Sequence, residues 1–459
     1  MRKKKDKKRK VSPIPPLLNE KIEDIATVEK RGACTITIVG CGREGLTYGT
    51  AFAEAGFKVT FVDPDQSIVK GLARSRTEHE SRLRSLYRTG RLAATGDLKN
   101  AVANSDAVIV TINPSIDENK NINYSEIEKT CKQVGANLKR GTLVIYTGTA
   151  SPGFTESVVR EALVNASGLK LGEEFGLAYS PLLLVSRRPT PEAISNLELN
   201  VAANDMASLE SASALMAAIA KRGIRQVANF RKAELASLFS ALRRDINIAL
   251  NNELAILCEK TGVDYLEILK FIDPQQALPG FAPTIDQEVG REVYSLIESA
   301  ENLNTKLRLA TLARQVNEDM IRYAVNLTQN ALRSCGRTLR RSKITVLGTT
   351  GAGTTGETFV KMLEKKGAKT IAYDPNAVVT RNPNSLEKPK RTIADAVEGS
   401  DCLVLLQGQE QLRNLNLKNL RTVMRSQSAI IDLTGTLDPE KTETEGFIYR
   451  GLGRGMGKK

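Results

Sequence analysis

Short apolar runs rich in β-branched residues alternate with amphipathic stretches through the first part of the chain. Thr35–Val39, Val59–Val62, Ala107–Ile112 and Thr142–Tyr146 are four such runs, each followed by turn-forming residues. Uninterrupted apolar runs of this length predict strands buried on both faces, as parallel strands are. Leu46–Ala55 and Tyr124–Leu138 lie between them and predict helices. The alternation predicts a doubly wound parallel sheet. From Met206 the pattern changes, and 206–222, 232–261 and 304–334 predict helices. The middle one would be roughly 45 Å long at its rise per residue. Leu235, Leu238, Phe239, Leu242, Ile246, Ala249, Leu250, Leu254 and Leu257 recur along it at helical spacing, which predicts one apolar stripe, and Gly262 suits its C-terminus. A helix of this kind between two α/β regions is a candidate dimer core. At Lys343 the strand–helix pattern restarts: Ile344–Leu347, a Gly/Thr run to Gly356, a helix through Leu363 and a strand to Tyr373.

Chemistry enters at the turns. The first apolar run leads into Gly40-Cys41-Gly42-Arg43-Glu44-Gly45, and Asp63 follows eighteen positions after Gly45 at the end of the second run. Strand, glycine turn, helix, strand and acid in this register form a dinucleotide-binding fingerprint. Gly40 permits the tight turn, Gly42 lets the backbone approach a pyrophosphate, and Gly45 lets helix and strand pack closely. The helix N-terminus presents N–H groups to the phosphates. Asp63 can accept hydrogen bonds from an adenosine ribose and would repel a 2′-phosphate, so NAD is expected over NADP. Gly351-Ala352-Gly353-Thr354-Thr355-Gly356 repeats the spacing, with Asp374 again eighteen positions on. Gly351, Gly353 and Gly356 form either a second phosphate cradle or a small-residue turn that closes a βα unit. The expected fold is α/β, with two Rossmann-like doubly wound parallel-sheet domains joined by a long central helix. The expected division is a basic, proline-containing disordered tail at 1–30, an NAD-binding domain at 31–205, a central helical dimerisation domain at 206–334 and a C-terminal Rossmann-like domain at 335–459.

Composition narrows the classes. The chain has 459 residues, 41% of them apolar and 26% charged, in the range of globular proteins with real cores. No apolar run approaches the roughly 20 residues of a membrane helix, and the N-terminus lacks a secretory h-region, so a cytoplasmic protein is expected. Residues 1–10 carry eight basic side chains and one acid, half of the net charge of +14. Such a tail (residues 2–10) could contact anionic lipid or nucleic acid, or serve only as a solubilising extension. The six cysteines, at 34, 41, 131, 258, 335 and 402, form no CxxC pair and read as reduced core thiols. His79 is the sole histidine and lies in a charged stretch. A histidine triad or a histidine-based metal site is therefore not expected, and no metal site is assigned.

Taken in order, these segments resemble the UDP-glucose/GDP-mannose dehydrogenase family, and most nearly its UDP-N-acetyl-mannosamine branch, from about residue 33 to 456. Thr147-Gly148-Thr149-Ala150-Ser151-Pro152-Gly153-Phe154-Thr155-Glu156 is similar to the family's Ser-Thr-x-x-x-Gly-x-Thr-Glu loop. Ala178-Tyr179-Ser180-Pro181 resembles its Tyr-x-Pro-Glu loop. Arg244-Asp245-Ile246-Asn247-Ile248-Ala249 with Asn252-Glu253 is nearly its long-helix signature. Ala313-Arg314-Gln315-Val316-Asn317, Tyr373-Asp374-Pro375 and the ending Gly446–Gly453 match as well. The resemblance implies an NAD-binding domain to which Thr149 contributes, a dimer through helix 232–261, and a C-terminal domain that helps bind a UDP-sugar for polysaccharide synthesis. It implies oxidation of the sugar C6 alcohol to a carboxylate with two NAD through a cysteine thiohemiacetal, aided by a lysine, an asparagine, a glutamate and an aspartate.

At those catalytic positions the sequence departs from the family. Ser237 stands where the resemblance places the lysine, Ala241 where it places the asparagine, and Leu182 where it places the glutamate. The segment after Leu278-Pro279-Gly280 lacks the cysteine, and none occurs between 258 and 335. Asp286 fits the family aspartate only in poor register. The expectation is a pseudoenzyme-like homologue that binds NAD: a dehydrogenase with altered chemistry, or a non-catalytic regulatory or partner subunit.

Overall fold

The computed structural model describes residues 18, 25, 27–74, 78–117, 120–149, 151–182, 194–272, 282–286, 290, 292–348, 354–374, 392–406, 412 and 415–455. The chain divides into two compact units, one reaching to Ser237 and the other running on from Leu238.

The first unit is built on an eight-stranded sheet. Its strands are β1 (Thr35–Val39), β2 (Lys58–Val62), β3 (Leu92–Thr95), β4 (Ala107–Val110), β7 (Leu143–Tyr146), β8 (Gly176–Tyr179), β9 (Leu199–Ala202) and β10 (Ile224–Val227). The short pair β5 (Ser115–Ile116) and β6 (Ile122–Asn123) forms a separate antiparallel ribbon. The order across the sheet is β10-β9-β8-β7-β4-β1-β2-β3. Every pairing is parallel except β8 with β9. The central strands β4, β7 and β8 are buried along their whole length. Helices cover both faces, which is why these strands read as continuous apolar runs. The strand order reverses direction between β1 and β4, and a doubly wound sheet opens its ligand crevice at such a point.

Two expectations need correction. Residues 206–227 do not open a helical middle: helix Met206–Ala217 packs against the first sheet, and β10 pairs in register with β9. β10 was missed because Ile224-Arg225-Gln226-Val227 is a half-exposed edge strand with no apolar run. Nor does a disordered tail extend to residue 30. Leu18 and Ile25 are buried, the amide of Leu18 donates to the carbonyl of Gly141, and Val28–Arg31 is a helical turn capped by Thr27. The basic run 2–10 lies outside the described residues.

The second unit carries a five-stranded, all-parallel sheet of order β12-β11-β13-β14-β15. These are β11 (Lys343–Leu347), β12 (Lys369–Tyr373), β13 (Cys402–Leu405), β14 (Ala429–Asp432) and β15 (Ile448–Gly451). Helix Arg308–Ser334 packs Met320, Ile321, Ala324 and Val325 with Ile344, Val346, Cys402 and Val404 of this sheet. The long helix is Phe230–Thr261, 32 residues, and the boundary between the units falls inside it. Its predicted stripe splits into two faces. Leu238 and Ala249 are buried, whereas Phe239, Leu250, Leu254 and Leu257 are exposed.

Candidate nucleotide-binding site

The site begins where β1 ends. Gly40 has φ +101°, a conformation that L side chains rarely adopt, and its amide donates to the carbonyl of Val62. The Thr111 hydroxyl donates to the carbonyls of Gly40, at 2.8 Å, and Val39, at 3.1 Å, tying the turn to the end of β4. A Cβ on Gly45 would stand 2.0 Å from the Gly40 carbonyl oxygen, so helix Arg43–Glu54 seats against the turn only with glycine there. At Gly42 a Cβ would meet nothing within 4 Å, so the backbone has an open face. Gly42 is also the helix N-cap and supplies no side-chain cap. The first-turn N–H groups therefore have no capping side chain, which is the arrangement an anion uses. Asp63 is held at the rim: its carboxylate accepts from the amides of Cys41, at 2.9 Å, and Asp65, at 3.0 Å. The three glycines and the acid are thus brought together as their spacing predicts, and their cradle fits a dinucleotide.

Across the reversal point the first unit holds polar groups at the carboxyl ends of β7 and β8. The Thr149 amide donates to Asn113 Oδ1 at 2.8 Å, fixing the loop after β7 to the loop after β4. Tyr146 and Tyr179 end their strands with ring centroids 5.9 Å apart. The Tyr48 hydroxyl donates to the Ser180 carbonyl at 3.3 Å. Glu234, fully buried, accepts from the amides of Gly153 and Thr155 and so anchors the loop containing Gly153 to the long helix. Burial raises its carboxyl above the ordinary range, against the pull of those hydrogen bonds and of Arg231. Sequence reasoning missed Asn113, Glu234 and Tyr48. Each acts through a fold contact far away in the chain, which leaves no local trace in the sequence.

The side chains at the positions where the resemblance places catalytic groups have the following surroundings. Ser237 is buried and lies beside the Tyr179 hydroxyl, which burial pushes far up. Leu182 packs against the apolar core of the first unit. Ala241 is buried in a small apolar cluster with Val293 and Ala310. Asp286 accepts from the Thr355 hydroxyl at 3.2 Å, at the start of helix Thr355–Lys365. Gly356 is buried in the first turn of that helix, while Gly351 and Gly353 lie outside the described residues. Burial pushes the thiols of Cys41 and Cys131 up to about 12 and raises those of Cys258, Cys335 and Cys402. Among the described residues no group of three or more His, Cys, Asp or Glu could hold a metal.

Two matching motifs in the second unit form one buried network, and the ending motif makes a separate set of contacts. Arg314 pairs with Asp245 at 2.7 Å, with side chains 2% and 0% exposed. The Asn317 amide donates to the backbone and carboxylate of Asp245, and the Asn252 amide donates to Asn317. Asn252 in turn accepts from the amide of Thr284. In the ending motif, the Gly453 amide donates to Glu259 at 2.7 Å and its carbonyl accepts from the amide of Tyr265 at 2.8 Å.

A glycine turn opening a helix, an acid after the second strand and a reversing sheet define a dinucleotide-binding protein of Rossmann type. Models of the UDP-glucose/GDP-mannose dehydrogenase family match three segments: its NAD binding domain at residues 34–217, its central domain at 231–319 and its UDP binding domain at 354–439. The chain belongs to this family, and its dinucleotide is NAD. The UDP-N-acetyl-D-mannosamine dehydrogenase of Pyrococcus horikoshii is 28% identical over 437 residues, covering 92% of this chain and 99% of its own length. The UDP-glucose 6-dehydrogenase of Rhizobium meliloti is 24% identical, covering 91% and 99%. In fold, the chain is similar to the solved UDP-D-ManNAc dehydrogenase of Pyrococcus horikoshii, with TM-score 0.73, 24% identity and coverage of 92% and 99%. It is also similar in fold to a UDP-glucose dehydrogenase from Pyrobaculum islandicum, with TM-score 0.69, 22% identity and coverage of 92% and 98%. Among the described residues no helix is long and apolar enough to cross a membrane.

Proposed function

We propose that this chain is an NAD- and nucleotide-sugar-binding member of the family that does not carry out the family's two-step oxidation, and that it acts as a sensor or as the partner of an active subunit. One observation carries the reading: the cofactor cradle at Gly40, Gly42, Gly45 and Asp63 is intact while Ser237, Ala241 and Leu182 occupy the positions of the reacting groups. When bound, NAD supplies a hydride acceptor. This chain's residues would hold its pyrophosphate at the Gly42 backbone and its ribose at Asp63, with Thr149 at the loop after β7. They offer no cation at 237 and no carboxylate at 182 to manage the proton of an alcohol. Each lost oxyanion donor costs about a hundredfold to a thousandfold in rate, and a missing thiol removes the covalent second step altogether. The raised cysteine thiols support the same reading, because a thiol held protonated is a poor nucleophile.

The UDP binding domain matched at 354–439 supports a UDP-sugar as the second ligand, in the context of surface polysaccharide synthesis. The exposed Phe239, Leu250 and Leu257, at spacings of eleven and seven on one helix, support a homodimer through that helix. The basic run 2–10 supports contact with anionic lipid or nucleic acid, which removal of residues 1–10 would abolish. The test is to mix purified protein with NAD and a panel of UDP- and GDP-sugars. Binding without NADH formation is expected. Turnover with any sugar would instead favour a dehydrogenase of altered chemistry, the second reading left open by the intact NAD cradle.

A further inference from the structure

The amino ends of β11 and β12 gather positive charge. Lys343 and Lys369 open the two strands and stand opposite each other in a parallel pair, about 5 Å apart. Like charges facing each other across neighbouring strands work against a sheet. The turns that feed these strands are tied together. The Arg341 amide donates to the carbonyl of Gly367 at 2.7 Å, and the Lys369 amide donates to that of Ser342 at 2.8 Å. A Cβ on Gly367 would stand 3.0 Å from Arg340 Cγ, so Arg340 lies against the same turn. Arg340, Arg341, Lys365, Lys366 and Lys369 are all exposed. Among the described residues, none of these side chains has an ion pair or a hydrogen bond.

The acids nearby do not cancel this charge. Glu364 accepts from the Thr370 hydroxyl, and the Lys343 ammonium donates to the backbone carbonyl of Glu398 rather than to a carboxylate. Asp401 is buried and already shared by Arg337, at 2.6 Å, and Arg425, at 3.2 Å. Arg333 and Lys365 lie in the last turns of their helices, where a cation also offsets the helix dipole. That does not account for Arg340, Arg341 or Lys369, which belong to no helix end. Arg341 supplies an independent observation. Its φ is +68°, in the left-handed region that glycine occupies freely and a Cβ makes costly. The arginine therefore gives up folding stability for a charge at this corner.

Cation chemistry of this kind recognises phosphate arrays. Specific recognition of a nucleic acid asks for more: an element that enters a groove, or aromatic side chains on which unpaired bases stack. None of the side chains named here is aromatic, and the helices Arg308–Ser334 and Thr355–Lys365 meet the corner with their C-terminal ends. A bilayer surface asks only for cations spread on one side of a protein. The corner also lies at the opposite end of the strands from the crevice where such a sheet takes its ligands. We propose that Arg340, Arg341, Lys343, Lys366 and Lys369 form a docking surface for an anionic lipid bilayer, which leaves the carboxyl ends of β11 and β12 facing away from the membrane. The surface is separate from the basic run 2–10 and from the nucleotide chemistry proposed above.

The test is cosedimentation of the full chain with vesicles of equal parts phosphatidylcholine and phosphatidylserine, with phosphatidylcholine vesicles alone as the reference. Binding to the anionic vesicles only is expected, weakening as salt is added. Arg340→Gln with Lys369→Gln should weaken it about thirtyfold, at about fivefold per cation removed. Arg341→Gly should weaken it about fivefold while raising the melting temperature, which separates the charge from any role in folding. Equal sedimentation with both kinds of vesicle, or with neither, would overturn the inference. So would binding that is lost on removal of residues 1–10 and unchanged in the corner variants, which would assign the contact to the tail. Tighter binding to duplex DNA than to the anionic vesicles, weakened by the same substitutions, would overturn it in favour of a nucleic acid.

Discussion

At the scale of single residues, the glycines of the fingerprint separate folding from binding. A Cβ at Gly45 would collide with the Gly40 carbonyl, whereas one at Gly42 would project into open space. Gly42 also has φ −66°, which any residue adopts. Gly42→Ala should therefore keep the wild-type melting temperature and lose about tenfold or more in NAD affinity. Gly45→Ala should lose both stability and binding. Thermal melts with and without NAD check the pair. The thiols give a second prediction. Ionisation of Cys41 and Cys131 is displaced up to about 12, so at pH 7 to 8 (roughly 1 to 2 units below an ordinary thiol) neither should react with iodoacetamide while the protein is folded. A cysteine alkylated faster than free cysteine would reveal an activated nucleophile and contradict the proposed function. The glycines and Asp63 were legible in the sequence because their roles are local and fixed in spacing. Asn113 and Glu234 were not, because each works through a partner 36 or more positions away, Thr149 in one case and Gly153 and Thr155 in the other.

At the scale of elements, the long helix is held by polar contacts that its sequence advertised only as separate motifs. Asp245 and Arg314 come from helices 69 positions apart and pair almost without exposure. Arginine keeps its charge even when buried, and removing one partner strands the other. Arg314→Met should cost about 3–5 kcal/mol. Replacing Asp245 and Arg314 together by apolar residues should cost less than either single change, a coupling that a double-mutant cycle by denaturant unfolding would measure. The apolar stripe was the less reliable guide. Nine apolar residues at steps of three and four cover more than one face of a helix, and periodicity does not say which face a neighbour covers. Leu238 went inward, while Phe239, Leu250 and Leu257 remained outside. Strand β10 and the reversed pairing of β9 left no apolar signature, and this moved the end of the first unit from residue 205 into the long helix.

At the scale of the whole molecule, each unit has its own sheet and apolar core, and the three family segments follow one another along the chain. The exposed face of the long helix gives a prediction at this scale. Phe239→Glu with Leu250→Glu should leave each unit folded and convert a dimer to a monomer, as read by light scattering of the eluting protein. A monomeric wild-type chain would remove the dimer proposal. The central claim, a bound NAD without the family's oxidation, is tested most directly by a single-turnover measurement. Protein in excess over UDP-N-acetyl-mannosamine and related UDP-sugars, saturated with NAD, is followed by NADH absorbance. The account predicts no NADH at the level of the active sites present. One NADH per sugar would show an alcohol oxidation by groups other than those at 182, 237 and 241. Two would show the complete reaction, and either result would contradict the account.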